Sequence, residues 1–171
     1  MKKVILCGYM ASGKTTTARL LAKKLNLPYV DLDEVIESRT GKTISQLFKE
    51  VGEIKFRKLE HDVLYDIVNG SGGFVLSMGG GTPVYANNHE VLQREDVASF
   101  YLKAGIATLV ERLKLQKGKR PLLDALKDDE FESFVGQHLF ERSYYYHQAK
   151  HVIDVNNKSP EEITAAIALL V

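Results

Sequence analysis

A chain of 171 residues, 44% apolar and 26% charged, is long enough for one domain with a substantial core and short for two. Its net charge of +1 gives no push toward nucleic acid, an anionic membrane or an acidic partner. Cys7 is the only cysteine, so no intrachain disulfide can form, which suits a reducing cytoplasm.

The opening "MKKVILCGYM" starts like a signal peptide, but its apolar stretch breaks at Gly8 and runs into "SGK". It reads instead as a first strand, Lys3 to Cys7, with the thiol packed inside it rather than catalytic. Ala18, Leu21, Ala22 and Leu25 then share a helical face that stops before Asn26 and Pro28. "PYVDLD" is a second short strand, followed by a short helix from Asp33 to about Arg39. Ile44, Leu47, Phe48 and Val51 share one face and Phe56, Leu59, Val63 and Ile67 another, so a helix to Asn69 is predicted with an interruption at Gly52. "GFVLSMGGG" is a third strand running into glycines, and "VASFYLK" a fourth.

"ATLVERLKL" is helical, "QKGKRPLL" is a basic loop, and "DDEFESFVGQHLFERSYYYHQA" is a long helix. "HVIDV" is a fifth strand, and Ser159-Pro160-Glu161-Glu162 opens the last helix with a capping box. No internal repeat, low-complexity tract or linker divides the chain, and no apolar run approaches the roughly 18 residues of a spanning helix. Strands alternating with helices predict βαβ units and a parallel sheet covered on both faces. Such sheets bind ligands beyond the carboxyl ends of their strands, where "GYMASGKT", "DLDE" and "GGGT" would converge.

Gly8 to Thr15 match the phosphate-loop pattern G-x-x-x-x-G-K-[ST]. Gly8 and Gly13 let the backbone curl so that its N–H groups face one anion, and the following helix adds its dipole. Lys14 would reach the β- and γ-phosphates, and the Thr15 hydroxyl would sit on Mg²⁺. Asp31 and Asp33 flank Leu32, and on a strand both carboxylates would face one site, one for Mg²⁺ and one for a substrate hydroxyl. Equally, Asp33 could cap "EVIES" while Asp31 is merely solvated. Gly79, Gly80 and Gly81 in a row suggest a surface that a ligand approaches closely. Taken singly, Arg57 and Arg142 read as ordinary helical arginines. Lys117, Lys119 and Arg120 crowd a loop whose Pro121, Leu122 and Leu123 argue for docking over a triphosphate. Tyr144, Tyr145 and Tyr146 read as core packing, and the five histidines lack metal-site spacing.

Together, "GYMASGKTT", "YVDLDEVIE", "ISQLFKEVGEIKFRKLE", "LSMGGGTPV", "KRPLL" and "ERSYYYHQA" resemble the shikimate kinase family, small nucleoside-monophosphate-kinase-like P-loop proteins, in order and spacing over nearly the whole chain. The phosphate loop is common to many kinases; D-x-D, G-E-x-x-F-R-x-x-E, the triple glycine and R-P-L-L in combination are specific. The resemblance implies a three-layer α/β/α fold around a five-stranded parallel sheet, with a mobile lid. It implies one domain over residues 1–171, a substrate-binding helical region at about 33–60 and a lid at about 114–126.

It further implies that Thr15 and Asp31 hold Mg²⁺, and that Gly8, Ala11, Ser12, Gly13, Lys14, Thr15, Thr16, Arg112, Arg120 and Lys158 serve ATP, with an adenine contact near Asn157 and Lys158. Asp33, Arg57, Gly79, Gly80, Gly81 and Arg142 would bind shikimate, and Lys14, Asp33 and Arg120 would carry catalysis. Ala11 stands where many members have glycine, a harmless change where the backbone avoids φ > 0.

The implied activity is phosphorylation of the shikimate 3-hydroxyl by ATP, in aromatic amino-acid biosynthesis, by a cytoplasmic monomer that binds neither nucleic acid nor membrane. Two rivals remain: a kinase for another small acceptor such as gluconate, and a nucleotide-dependent switch or ATPase. Against the switch, the chain lacks an N-K-x-D signature, "NNKSPE" being the nearest run.

Overall fold

Lys3–Cys7 form β1, whose Val4, Ile5, Leu6 and Cys7 side chains are all fully buried. A strand that is apolar on both faces belongs at the centre of a covered parallel sheet. The computed structural model, which describes residues 2–116 and 126–171, puts it there. β2 (Tyr29–Asp31), β3 (Phe74–Ser77), β4 (Val97–Lys103) and β5 (His151–Asp154) complete a five-stranded sheet in the order β2-β3-β1-β4-β5. Every pairing is parallel, with Ile5 opposite Leu76 on one side and Ser99 on the other.

Among the described residues the helices are α1 (Lys14–Leu25), α2 (Leu32–Thr40), α3 (Ile44–Asn69), α4 (Ile106–Lys114), α5 (Phe131–Tyr146) and α6 (Pro160–Ala168). α1 packs on α6 and α4 on α5, and two short 3₁₀ turns, Thr82–Val84 and Asn88–Gln93, follow the glycines. From β1 the chain first moves to the β2–β3 side and only then crosses to β4 and β5. β1 and β3 are therefore neighbours whose connections leave in opposite directions, which opens a crevice at their carboxyl ends.

Local chemistry explains the boundaries. α1 ends at Asn26, held at φ 52, and Ser159 and Glu162 form the expected reciprocal cap on α6. Thr43 and Gln46 cap α3 in the same way. The predicted interruption at Gly52 is a sharp kink, with φ 77 and ψ 169. Its turn redirects the apolar face: Leu47, Phe56 and Val63 are buried, whereas Val51, immediately before the kink, is exposed.

α5 is shorter than the predicted helix, because residues 128–130 form a turn and the chain leaves the helix after Tyr146. Of the three tyrosines only Tyr146 is core; Tyr144 is 66% exposed, so the expectation that the run packs inside holds for one of them. Consecutive helical residues point about 100° apart and cannot share a buried face. The predicted lid falls largely on residues 117–125, so Lys117, Lys119, Arg120, Pro121, Leu122 and Leu123 lie outside the described residues.

Candidate active site

The loop between β1 and α1 curls around its own lysine. Gly8 sits at φ 146, where an added Cβ would lie 2.8 Å from the carbonyl oxygen of Leu102, so only glycine fits. Lys14, 8% exposed, donates from Nζ to the carbonyls of Gly8 (2.9 Å) and Tyr9 (2.8 Å). These bonds hold a cation beside the backbone N–H groups at the start of α1, the arrangement that favours a polyanion. Ala11 has φ 63, so the condition under which alanine is harmless here is not met and the loop is strained there. Arg112, reaching from α4, donates to the Ala11 carbonyl at 3.1 Å and so flanks the loop.

A cavity of about 570 Å³ lies at the sheet's carboxyl edge. Ala11, Ser12, Gly13, Lys14, Thr15 and Thr16 line it from the phosphate loop and the start of α1, and Asp31, Asp33, Gly79, Gly80, Arg112 and Lys158 also line it. Lys158 also donates to the Asp154 carbonyl at 2.9 Å, and Asn157 turns the chain at φ 54 without lining the cavity.

The two aspartates reach this cavity differently from the strand-alternation reading. β2 ends at Asp31, which is the N-cap of α2: its Oδ1 accepts from the backbone N–H of Asp33 (3.0 Å) and Glu34 (3.4 Å). The capping role therefore belongs to Asp31, and Asp33 is a first-turn helical residue. Asp33 is held close to Glu60 and to Gly79, where an added Cβ would lie 3.5 Å from its Oδ1. Burial, then the charges of Asp31 and Glu60, push its carboxyl up to about 6, against the pull of Lys14.

Arg57, Gly81 and Arg142 gather beside the cavity without lining it. Arg57 pairs with Glu60 at 2.9 Å and more loosely with Glu53 at 3.6 Å, and its guanidinium lies over the Tyr85 ring at 4.2 Å. Gly81 is where it comes close: a Cβ there would meet Nη2 at 2.8 Å. Arg57 also lines a second hollow of about 390 Å³ with Glu53, Lys58, His61 and Tyr85. Arg142, on α5, lies over the Tyr9 ring at 5.9 Å, and both guanidiniums act on the Tyr85 phenol. Two cations thus converge near the glycine loop, where the Asp33 and Glu60 carboxylates also approach Gly79.

Several residues of this arrangement escaped the sequence reading. Glu60 stands in the quoted G-E-x-x-F-R-x-x-E pattern, and its spacing from Arg57 was the available signal. Thr82 donates to the buried Glu60 Oε1 at 2.7 Å, and Tyr85 supplies the ring under Arg57; neither carries a sequence signal. Thr15 and Asp31 present oxygen donors to one cavity, and among the described residues no cluster of three or more His, Cys, Asp or Glu is disposed to hold a metal ion. Such a donor set suits a cation completed by water and phosphate oxygens, as Mg²⁺ usually is.

The shikimate kinase family profile matches residues 10–170. A shikimate kinase of Flavobacterium psychrophilum is 52% identical over 167 residues, covering 98% of this chain and 97% of that protein. The crystal structure of shikimate kinase from Bacteroides thetaiotaomicron superposes with a TM-score of 0.88 at 35% identity, covering 99% of this chain and 96% of the other. The solved structure of shikimate kinase from Acinetobacter baumannii in complex with shikimate gives a TM-score of 0.87 at 30% identity, covering 99% of this chain and 92% of the other.

Proposed function

The chain belongs to the shikimate kinase family, and we propose on that premise that it transfers the γ-phosphoryl group of ATP to the 3-hydroxyl of shikimate, releasing 3-phosphoshikimate and ADP. The observation that carries the reading is the meeting of a phosphate loop and Asp33 in one cavity, with two arginines beside it. A hydroxylated ring acid matches that set: guanidiniums pair with its carboxylate and a carboxylate with its hydroxyls.

In this mechanism Arg57 and Arg142 grip the carboxylate and the Gly79–Gly81 backbone lies against the ring. Asp33 accepts the hydrogen bond of the 3-hydroxyl, orients its oxygen in line with the γ-phosphorus and takes its proton as the new O–P bond forms. The bond to the ADP oxygen breaks in the same displacement, with no covalent enzyme intermediate. Lys14 and Arg120 neutralise charge on the transferring group, Ser12, Gly13 and Thr16 line the phosphates, Arg112 flanks the nucleotide and Lys158 approaches its adenine side. Thr15 and Asp31 would hold Mg²⁺, Asp31 through water, and the ion would screen the phosphate charge.

The proposal includes a cytoplasmic monomer acting in aromatic amino-acid biosynthesis; the single, fully buried cysteine agrees with a reducing compartment. ADP release measured with shikimate, with gluconate and with no acceptor tests it. Shikimate alone should stimulate release. Equal release without acceptor would favour an ATPase, and preference for gluconate would move the acceptor.

A further inference from the structure

Tyr146 follows Arg142 by one helical turn on α5, and its hydroxyl donates to the carbonyl oxygen of Gly80 at 2.5 Å. Residues four apart on a helix are surface neighbours, so this phenol stands beside the Arg142 guanidinium. The Arg142 charge acts on the phenol, and burial keeps the phenol far above the usual tyrosine range, so that it remains a donor.

The remainder of the side chain is fixed. Tyr146 is fully buried, its ring lies 5.2 Å from that of Tyr101, and its own carbonyl oxygen faces the Cys7 thiol at 3.8 Å. Gly80, on the other side of the bond, presses on the phosphate loop: a Cβ there would lie 3.3 Å from the backbone nitrogen of Met10. Burial of the ring needs no hydroxyl. The hydroxyl joins the helix that carries Arg142 to the glycine loop that touches the phosphate loop.

We infer that Tyr146 is a positioning residue, whose hydroxyl sets the distance between Arg142 and the Gly79–Gly81 backbone and thereby where the acceptor's reacting hydroxyl comes to rest once Arg142 holds its carboxylate. This rests on the reading of Arg142 as a carboxylate partner. Tyr146 touches neither substrate, and its effect is exerted through Arg142.

Steady-state kinetics on the wild type, Tyr146→Phe, Arg142→Ala and the double variant test it. Tyr146→Phe keeps the buried ring and should raise the KM for shikimate roughly 3–10-fold while the KM for ATP stays within about twofold. In the Arg142→Ala background the same change should add less than about twofold, because nothing is left to position. An unchanged shikimate KM, equal rises in both KM values, or an undiminished effect without Arg142 would overturn the inference alone. A wild type that does not phosphorylate shikimate would overturn the functional reading with it.

Discussion

Glu60 Oε2 lies 2.9 Å from Arg57 Nη1, three residues earlier on the same helix, while its Oε1 accepts from the Thr82 hydroxyl at 2.7 Å. With Glu60 only 1% exposed, one buried carboxylate ties an acceptor-side arginine to the segment after the glycine loop.

Removing one partner of a buried pair leaves the other charge uncompensated. Glu60→Gln keeps the shape and one hydrogen bond but discards the charge. It should cost about 3 kcal/mol of stability in denaturant unfolding and raise the shikimate KM more than the ATP KM. Unchanged stability would mean that Arg57 does not depend on this carboxylate.

Asp33 offers a test in which stability and activity move in opposite directions. Its folded carboxyl, at about 6, lies above the unfolded value of 3.8. The folded protein therefore holds this proton more tightly. That contribution is fully present below the unfolded value and is lost as pH rises through about 6. At pH near 7.5, Asp33→Asn should stabilise the unliganded protein by up to about 3 kcal/mol, with little effect at pH near 4. Turnover should meanwhile fall about 10²–10⁴-fold, and wild-type kcat/KM should decline as Asp33 is protonated. A variant that melts lower than wild type at the higher pH would contradict the burial and like-charge crowding that raise this carboxyl.

Asp31 separates capping from metal binding. Asparagine caps a helix about as well as aspartate, so Asp31→Asn should change stability by less than about 0.5 kcal/mol. Loss of the charge should raise the Mg²⁺ concentration for half-maximal turnover about tenfold. A Mg²⁺ titration that superposes on that of the wild type would remove Asp31 from the ion's surroundings.

Ala11 tests the strain in the phosphate loop. A non-glycine residue at φ 63 costs about 1–2 kcal/mol, and glycine returns about 0.4–1 kcal/mol of that through the unfolded chain. Ala11→Gly should therefore stabilise by roughly 0–1.6 kcal/mol and leave the ATP KM within about twofold. A clear loss of stability would show that the strain is compensated by contacts that depend on the Ala11 methyl group.

The central strands were legible because strands buried in a parallel sheet read as continuous apolar runs, such as residues 4–7 and 74–76, whereas the edge strands β2 and β5 are only partly buried. Lys14 and Asp33 were legible as site candidates because a phosphate loop and an acidic pair have fixed local spacing. The exchange of roles between Asp31 and Asp33 was not, because the strand stops two residues earlier than "PYVDLD" suggests and the cap moves with it. Glu60 with Thr82, Arg57 with Tyr85 and Tyr146 with Gly80 are created by α3 and α5 packing on the glycine loop. Their sequence separations carry no periodic signal. Ala11's positive φ is likewise imposed by the loop closing around Lys14, not by its own preference.

In the proposed reaction the phosphoryl group reaches the 3-hydroxyl of shikimate. ³¹P NMR of the protein with ATP, Mg²⁺ and shikimate tests it most directly. The γ-phosphate signal should disappear as a phosphate monoester coupled to the proton on carbon 3 of the ring grows in. Inorganic phosphate as the sole product, or a monoester on another hydroxyl, would contradict it.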